Sequence, residues 1–402
     1  MRKFFIPAFL FLALTVLYTS RLSFPEKEYY DEVYHVKTAR EFLALKGNTD
    51  TAHPPLGKLL IALSIRTFGD FPWAWRLVPC LAGLGAILVF QRLARRVFES
   101  DSFGWLAAML FALDGISFTQ ARIAMLNAAM MFFMLLTVLF FIKILESSGR
   151  EKKYFFLCGV FLGLGVATRW VSLAVLPVLG MIFLGQFRRV ESWADFLFKA
   201  LLFLVILPMA IYFSSHIILF WSQGYKGWDI LKYQVQMFRY HASLHATHHY
   251  GSPWWSWPLL KRPIWYFFER RAGLVYGILC IGNPAVIWAL APAAIYLVWQ
   301  LFSPRGRVCA FILMGFLSQW LPWAFVSRVK FFHYFYTAMP FLALAITFAL
   351  KDLWQSGKPG RIAGAFYIVL VLGLFAYWYP LLAGCPISEA YFENHLWFKS
   401  WI

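Results

Sequence analysis

Two adjacent carboxylates, Asp31-Glu32, follow an apolar run that ends near Thr19. Paired carboxylates can supply a general base and a group that orients it. The same pair also suits a solvated acidic turn at a helix N-terminus, where negative charge is favoured. A second candidate is His53-Pro54-Pro55-Leu56-Gly57-Lys58, which reads as a rigid turn entering a helix, with a histidine that caps, packs or binds. The third is the stretch holding Asp114, Gln120, Arg122 and Asn127. Charged groups close to membrane segments are costly and tend to face polar cavities, so Arg122 either holds an anionic ligand or snorkels to a phospholipid. Histidines at 241, 245, 248 and 249 have the spacing of ligands on one helical face. No cysteine or acid nearby completes a metal set, and Gly251-Ser252-Pro253 ends any helix there. The last candidate is the basic, aromatic loop Ser327-Arg328-Val329-Lys330-Phe331-Phe332-His333-Tyr334, which would equally serve as an interfacial belt.

These groups must be positioned by a chain that is 61% hydrophobic, 20% aromatic and only 14% charged over 402 residues. No soluble domain of that length hides so much apolar surface in one core. Runs of about 20 mostly apolar residues, the length that spans a bilayer, recur from end to end. The expectation is an all-α polytopic membrane protein of about eleven helices, forming one domain over residues 1–402. The run after Met1-Arg2-Lys3 lacks a small-x-small cleavage site and is taken as the first span. Further spans are expected near 73–91, 103–119, 124–145, 154–168, 170–187, 199–220, 274–302, 308–326, 333–350 and 362–382. The net charge of +18 does not point to nucleic acid, because the basic residues punctuate apolar segments instead of forming a patch. They suit topology signals and anionic lipid head groups. The five cysteines are scattered and read as packing residues.

Short basic loops carry Arg92/Arg95/Arg96, Lys143/Arg150/Lys152/Lys153, Arg188/Arg189, Arg305/Arg307 and Lys351/Lys358/Arg361, and they alternate with long aromatic ones. The positive-inside rule then puts the N-terminus in the cytoplasm and the C-terminus outside. Two long segments, about 20–72 and 221–273, fall outside. The first has the mixed periodicity of an amphipathic surface helix after Asp31, with a second such helix after Pro54-Pro55.

Together these fragments resemble the protein O-mannosyltransferase family of the GT-C membrane class. The matching stretches are Asp31-Glu32, His53-Pro54-Pro55-Leu56-Gly57-Lys58, Thr119-Gln120-Ala121-Arg122 with Leu126-Asn127, and Ala167-Thr168-Arg169-Trp170-Val171. Later come His245-Ala246-Thr247-His248, Ser252-Pro253-Trp254-Trp255-Ser256-Trp257-Pro258, Arg262-Pro263, Gly282-Asn283-Pro284 and Pro322-Trp323…Arg328…Phe332-His333-Tyr334. They run in family order over nearly the whole chain. Asn127 stands where the family commonly has aspartate, and Arg169 where lysine is usual. The segment 221–273 is too short for the β-trefoil MIR module of eukaryotic members, which points to a bacterial-type enzyme in the cell (inner) membrane.

The resemblance implies a GT-C fold and inverting transfer of mannose from a polyprenyl phosphate to Ser/Thr hydroxyls of a protein or peptide. It implies Asp31 as the catalytic base, with Glu32 and His53 in acceptor binding or loop support. The carrier phosphate falls to Arg122, with Gln120, Arg76 and Arg328 ahead of Lys330 and His333. Neither a metal nor another cofactor is required, since the lipid phosphate is already a fair leaving group. The implied partners are the polyprenyl-phosphate sugar, the protein acceptor and membrane lipids, not nucleic acid. Three rivals remain: a GT-C enzyme placing another sugar on a lipid or cell-wall glycan, a transporter, which would show internal repeats or helices broken at the midplane, and a non-catalytic lipid-binding membrane protein, whose outer loops would need no carboxylate.

Overall fold

The computed structural model describes residues 2–243 and 247–402, with the side chains of 2–6 left aside, so His245 and Ala246 of the histidine segment lie outside the described residues. The first half of the chain runs α1 (Arg2–Thr19), α2 (Glu32–Leu43), α3 (Leu56–Phe68), α4 (Pro72–Phe98), α5 (Asp101–Ala112), α6 (Gly115–Gln120), α7 (Asn127–Glu146) and α8 (Lys152–Thr168). Next come α9 (Val175–Gln186), then α10 (Trp193–Ala200), α11 (Leu207–Ser214) and α12 (Ile218–Ser222), which form one continuous apolar rod, and α13 (Asp229–Ser243). Two strands follow, β1 (Ile264–Arg271) and β2 (Leu274–Cys280). The remainder is α14 (Pro284–Trp288), α15 (Leu290–Gln300), α16 (Gly306–Trp320), α17 (Met339–Gln355), α18 (Lys358–Ala383), β3 (Pro386–Ser388) and α19 (Glu389–Asn394).

Among the described residues, seven helices are long and apolar enough to cross a membrane, and three shorter apolar helices accompany them. Burial supports the assignment. Along Trp193–Ser222, Leu197, Phe198, Leu201, Val205, Ile206 and Met209 are each about half exposed or more. Such an apolar face is stable only against lipid. The chain is a mostly helical integral membrane protein.

The expected count of eleven spans is not reproduced as eleven full-length helices, for local reasons. The run 103–119 is interrupted where Asp114 caps α6, accepting from the Ile116 amide at 2.9 Å. The run 274–302 does not begin as a helix. Leu274–Cys280 is a strand, and Asn283 then caps the helix that Pro284 opens. The chain is therefore not wholly helical: it includes a three-stranded antiparallel sheet, in the order β1-β2-β3. The β1–β2 hairpin turns through Ala272 and Gly273, both at positive φ, the twist that a two-residue hairpin requires.

The chain divides into two compact units, one of Met1–Pro25, Phe90–Arg122 and His245–Ile402, the other of Glu26–Val89 and Ile123–Leu244. In the first unit α17 is the buried centre, packed by α5, α15, α16 and α18. In the second, α7, α8 and α11 pack together, and the amphipathic helices α2 and α3 pack on each other around Val36, Ala39, Ile61 and Ile65. Both surface helices expected in the first outer segment are present, the second starting directly after Pro55.

Candidate active site

Asp31, Glu32, His53 and Arg76 belong to the second unit. Asp31 is the N-cap residue of α2, partly exposed, and its side chain makes no capping bond to the helix. Its carbonyl accepts from the amides of Tyr34 and His35 at 3.1 Å, so the residue is fixed to the first turn. Glu32 turns the other way, as adjacent helical residues do. It is fully buried, and Arg76 grips it with both arms, Nε to Oε1 at 2.8 Å and Nη2 to Oε2 at 2.9 Å. The Ala124 amide donates to Oε1 at 2.8 Å. Arg76 also donates to the Lys27 carbonyl at 3.2 Å and lies over the Tyr29 ring. The arginine expected near phosphate thus has a carboxylate in its fork. Glu32 ties α2, α4 and the chain entering α7 together.

The rest of α2 is anchored by a polar network that the sequence did not disclose. His35 Nδ1 lies 3.1 Å from Asp50 Oδ2, and Thr38 Oγ1 accepts from the Asp50 amide at 2.8 Å. Lys58, wholly buried, donates to the carbonyls of Asp50 and His53 at 2.7 Å and sits 3.2 Å from the Asp50 carboxylate. Burial alone would raise the Asp50 pKa, but the Lys58 ammonium and the His35 hydrogen bond hold it well below the usual carboxylate value. At the far end of α2, Arg40 pairs with Glu28 and with Asp70, the latter at 2.7 Å. His53 is partly exposed and stacks on His241 of α13, while Arg169 donates to the Asn127 side chain.

The remaining candidates belong to the first unit. Arg122 is nearly buried. It donates to the carbonyls of Leu17, at 3.3 Å, of Tyr18, and of Ser20, at 2.6 Å, and its guanidinium lies over the Phe118 ring. A cation at the negative end of α1 is favourable in its own right. Gln120 donates to the Tyr266 hydroxyl, and the Tyr266 ring is 6.1 Å from that of His333. Arg328 donates to the Tyr334 hydroxyl at 2.8 Å, and Tyr334 packs edge-on against His333. Lys330 reaches the Val326 carbonyl. Tyr266, on β1, gave no signal in sequence because the strand itself was unrecognised. Asp114 is a structural cap: its Oδ2 accepts from the Asn283 amide at 2.9 Å, and Asn283 reaches back to the Leu113 and Val371 carbonyls. His248 and His249 stack on each other, apart in sequence and unit from His241.

Comparison with known proteins adds independent findings. The description "Dolichyl-phosphate-mannose-protein mannosyltransferase" matches residues 70–223, and "C-terminal four TMM region of protein-O-mannosyltransferase" matches 228–401. A polyprenol-phosphate-mannose–protein mannosyltransferase of Mycobacterium tuberculosis is 28% identical, covering 94% of this chain and 86% of its own. The Corynebacterium glutamicum protein of the same name is 27% identical, covering 87% and 81%. Among solved structures, the Saccharomyces cerevisiae protein O-mannosyltransferase Pmt1-Pmt2 complex bound to the sugar donor superimposes with a TM-score of 0.86 at 15% identity, over 100% of this chain and 93% of that one. ArnT from Cupriavidus metallidurans bound to undecaprenyl phosphate gives 0.56 at 18% identity, over 94% and 71%. Those two share the fold.

Proposed function

The chain belongs to the protein O-mannosyltransferase family, and from that premise we propose that it transfers mannose from a polyprenyl phosphate to serine and threonine hydroxyls of proteins, inverting the anomeric carbon. The observation that carries the catalytic assignment is the placement of Asp31. Its carboxylate stands at the start of a surface helix, uncommitted to capping, on a turn that the buried Glu32–Arg76 pair immobilises. An inverting displacement needs a base on one face of the sugar and a stabilised leaving group on the other, as in inverting glycosidases. The acceptor oxygen attacks C1, the C1–O bond to phosphate breaks with its electron pair going to the phosphate, and Asp31 takes the hydroxyl proton.

The departing phosphate requires positive charge and hydrogen-bond donors at the membrane surface. Arg122 is the proposed principal group, with Gln120, Arg328, Lys330 and His333 from the same unit. Arg76 is assigned instead to holding Glu32, because its fork is occupied. The proposed reaction runs without a metal, because the phosphate leaves without Lewis-acid help. Membrane lipids surround the spans, and the proposed setting is a bacterial cell membrane with the N-terminus cytoplasmic and the C-terminus outside. The test is transfer from polyprenyl-phosphate mannose to a Ser/Thr-rich peptide, read by mass spectrometry with and without EDTA. Asp31→Asn keeps the shape and removes the basicity, so it should lose at least about a hundredfold in turnover while still binding donor. Near-normal turnover of the folded variant would remove Asp31 from the role of base.

A further inference from the structure

The loop carrying His53 is held from several directions while the ring itself stays available. Lys58 donates to the His53 carbonyl at 2.7 Å and the Tyr233 hydroxyl to the same oxygen at 3.3 Å. Pro54 and Pro55 follow and stiffen the backbone. His241 lays its ring on that of His53, with centroids 5.4 Å apart and planes 30° apart. His241 is itself fixed, its Nε2 lying 2.8 Å from the Ala52 carbonyl oxygen, and Trp170 flanks it at 6.4 Å. Among the described residues neither ring nitrogen of His53 takes part in a hydrogen bond, although the ring is only partly exposed. Burial, reinforced by the nearby Arg169 guanidinium, pushes the imidazole well below the usual histidine value. At neutral pH the ring is uncharged, with one nitrogen a donor and the other an acceptor.

A half-buried group with both capacities unmet gains from a partner brought from outside the chain. A lipid phosphate would select charged donors over a neutral imidazole. The ring also belongs to the base's side of the reaction. Its loop is tied through Asp50 to His35, one helical turn beyond Asp31 on α2. The acceptor hydroxyl must arrive at Asp31, and a polypeptide offers adjacent amide donors and acceptors that match a neutral imidazole.

We propose that the His53–His241 stack is a subsite for the acceptor polypeptide, with His53 hydrogen-bonding the peptide beside the reacting serine or threonine and His241 fixing the ring from behind. The proposal rests on the reading that the acceptor is a polypeptide. His53→Phe keeps a flat ring on His241 and removes both nitrogens, and His53→Asn restores a donor and an acceptor. The probes are a synthetic threonine-containing peptide and polyprenyl-phosphate mannose. His53→Phe should raise the peptide KM, and the peptide Kd measured without donor, by about tenfold, the worth of one or two neutral hydrogen bonds. The donor KM should stay within about twofold, and His53→Asn should recover part of the loss. Should His53→Phe fail to fold, His241→Ala, which removes the supporting face, should shift the same peptide constants. Equal shifts for both substrates, a shift in donor KM alone, or no shift would each overturn the subsite. A wild-type protein that binds the peptide more tightly than His53→Phe yet transfers no mannose would defeat the proposed reaction and leave the subsite standing.

Discussion

Arg76→Met separates two roles that one arginine was open to. In the structure both side chains of the Glu32–Arg76 pair are wholly buried, and the guanidinium makes two parallel bonds to the carboxylate at 2.8 and 2.9 Å. Methionine fills the volume without charge, so Glu32 keeps the Ala124 amide and loses its countercharge. Breaking a buried pair from one side costs about 3–5 kcal/mol, against a total stability on the order of 5–15 kcal/mol. Glu32→Gln strands the guanidinium instead and should cost a comparable amount. The double variant Glu32→Gln/Arg76→Met should be less damaging than the sum of the singles, because it leaves no uncompensated charge. Thermal unfolding of purified protein at fixed lipid and detergent gives the stabilities, and donor kinetics at a permissive temperature give the KM. The expected result is a large, non-additive loss of melting temperature with donor KM little changed. An Arg76→Met protein as stable as wild type but with a sharply raised donor KM would refute this and return Arg76 to the phosphate.

Arg122→Ala should raise the donor KM roughly ten- to a hundredfold, the worth of a charge-assisted hydrogen bond to phosphate. Unchanged donor kinetics with a lowered melting point would make Arg122 a cap for α1 alone. Because His53 is held well below its ordinary value of 6.5, the unfolded chain binds a proton below about pH 6.5 that the folded chain refuses. Stability should therefore rise with pH through the window up to about 6.5, and melting curves of His53→Phe should show a flatter dependence there. In a cysteine-free background, a cysteine at the exposed position of Lys46 should react with an impermeant reagent on intact cells, and one at Arg188 only after lysis. The opposite pattern would invert the proposed orientation.

The spans were legible because lipid imposes one requirement, a long apolar run, whatever the run packs against. The expected segments 308–326, 333–350 and 362–382 return as Gly306–Phe325, Phe332–Gln355 and Lys358–Ala383. The rule fails where an apolar run is buried in protein instead of lipid. Leu274–Cys280 is apolar because its strand is largely buried, and its second partner, β3, lies more than a hundred residues on. No local pattern separates such a strand from the start of a span. The break at Asp114 was hidden similarly, since one acid at the end of a long apolar run looks like a ligand-facing charge until Asn283 is seen to hold it.

At the site, Asp31 and Glu32 fall on different faces as adjacent helical residues must, but the partners could not be read locally, because the charge pairs join residues from different elements or loops. Glu32 reaches Arg76, which the resemblance puts near the carrier phosphate, and Asp50, which carries no signal of its own, reaches Lys58. The two departures from the family pattern carry the same lesson. Asn127 and Arg169 stood as separate irregularities, yet Arg169 donates to the Asn127 side chain, so they form one pair. An aspartate and a lysine in those places would cancel each other's charge. An asparagine accepts the bond without bringing a charge of its own, and the Arg169 guanidinium adds to burial in lowering the pKa of the His53 imidazole. Arg169 is thus linked to the protonation of a ring in another loop, a connection carried by electrostatics through the fold and by nothing in the order of the residues.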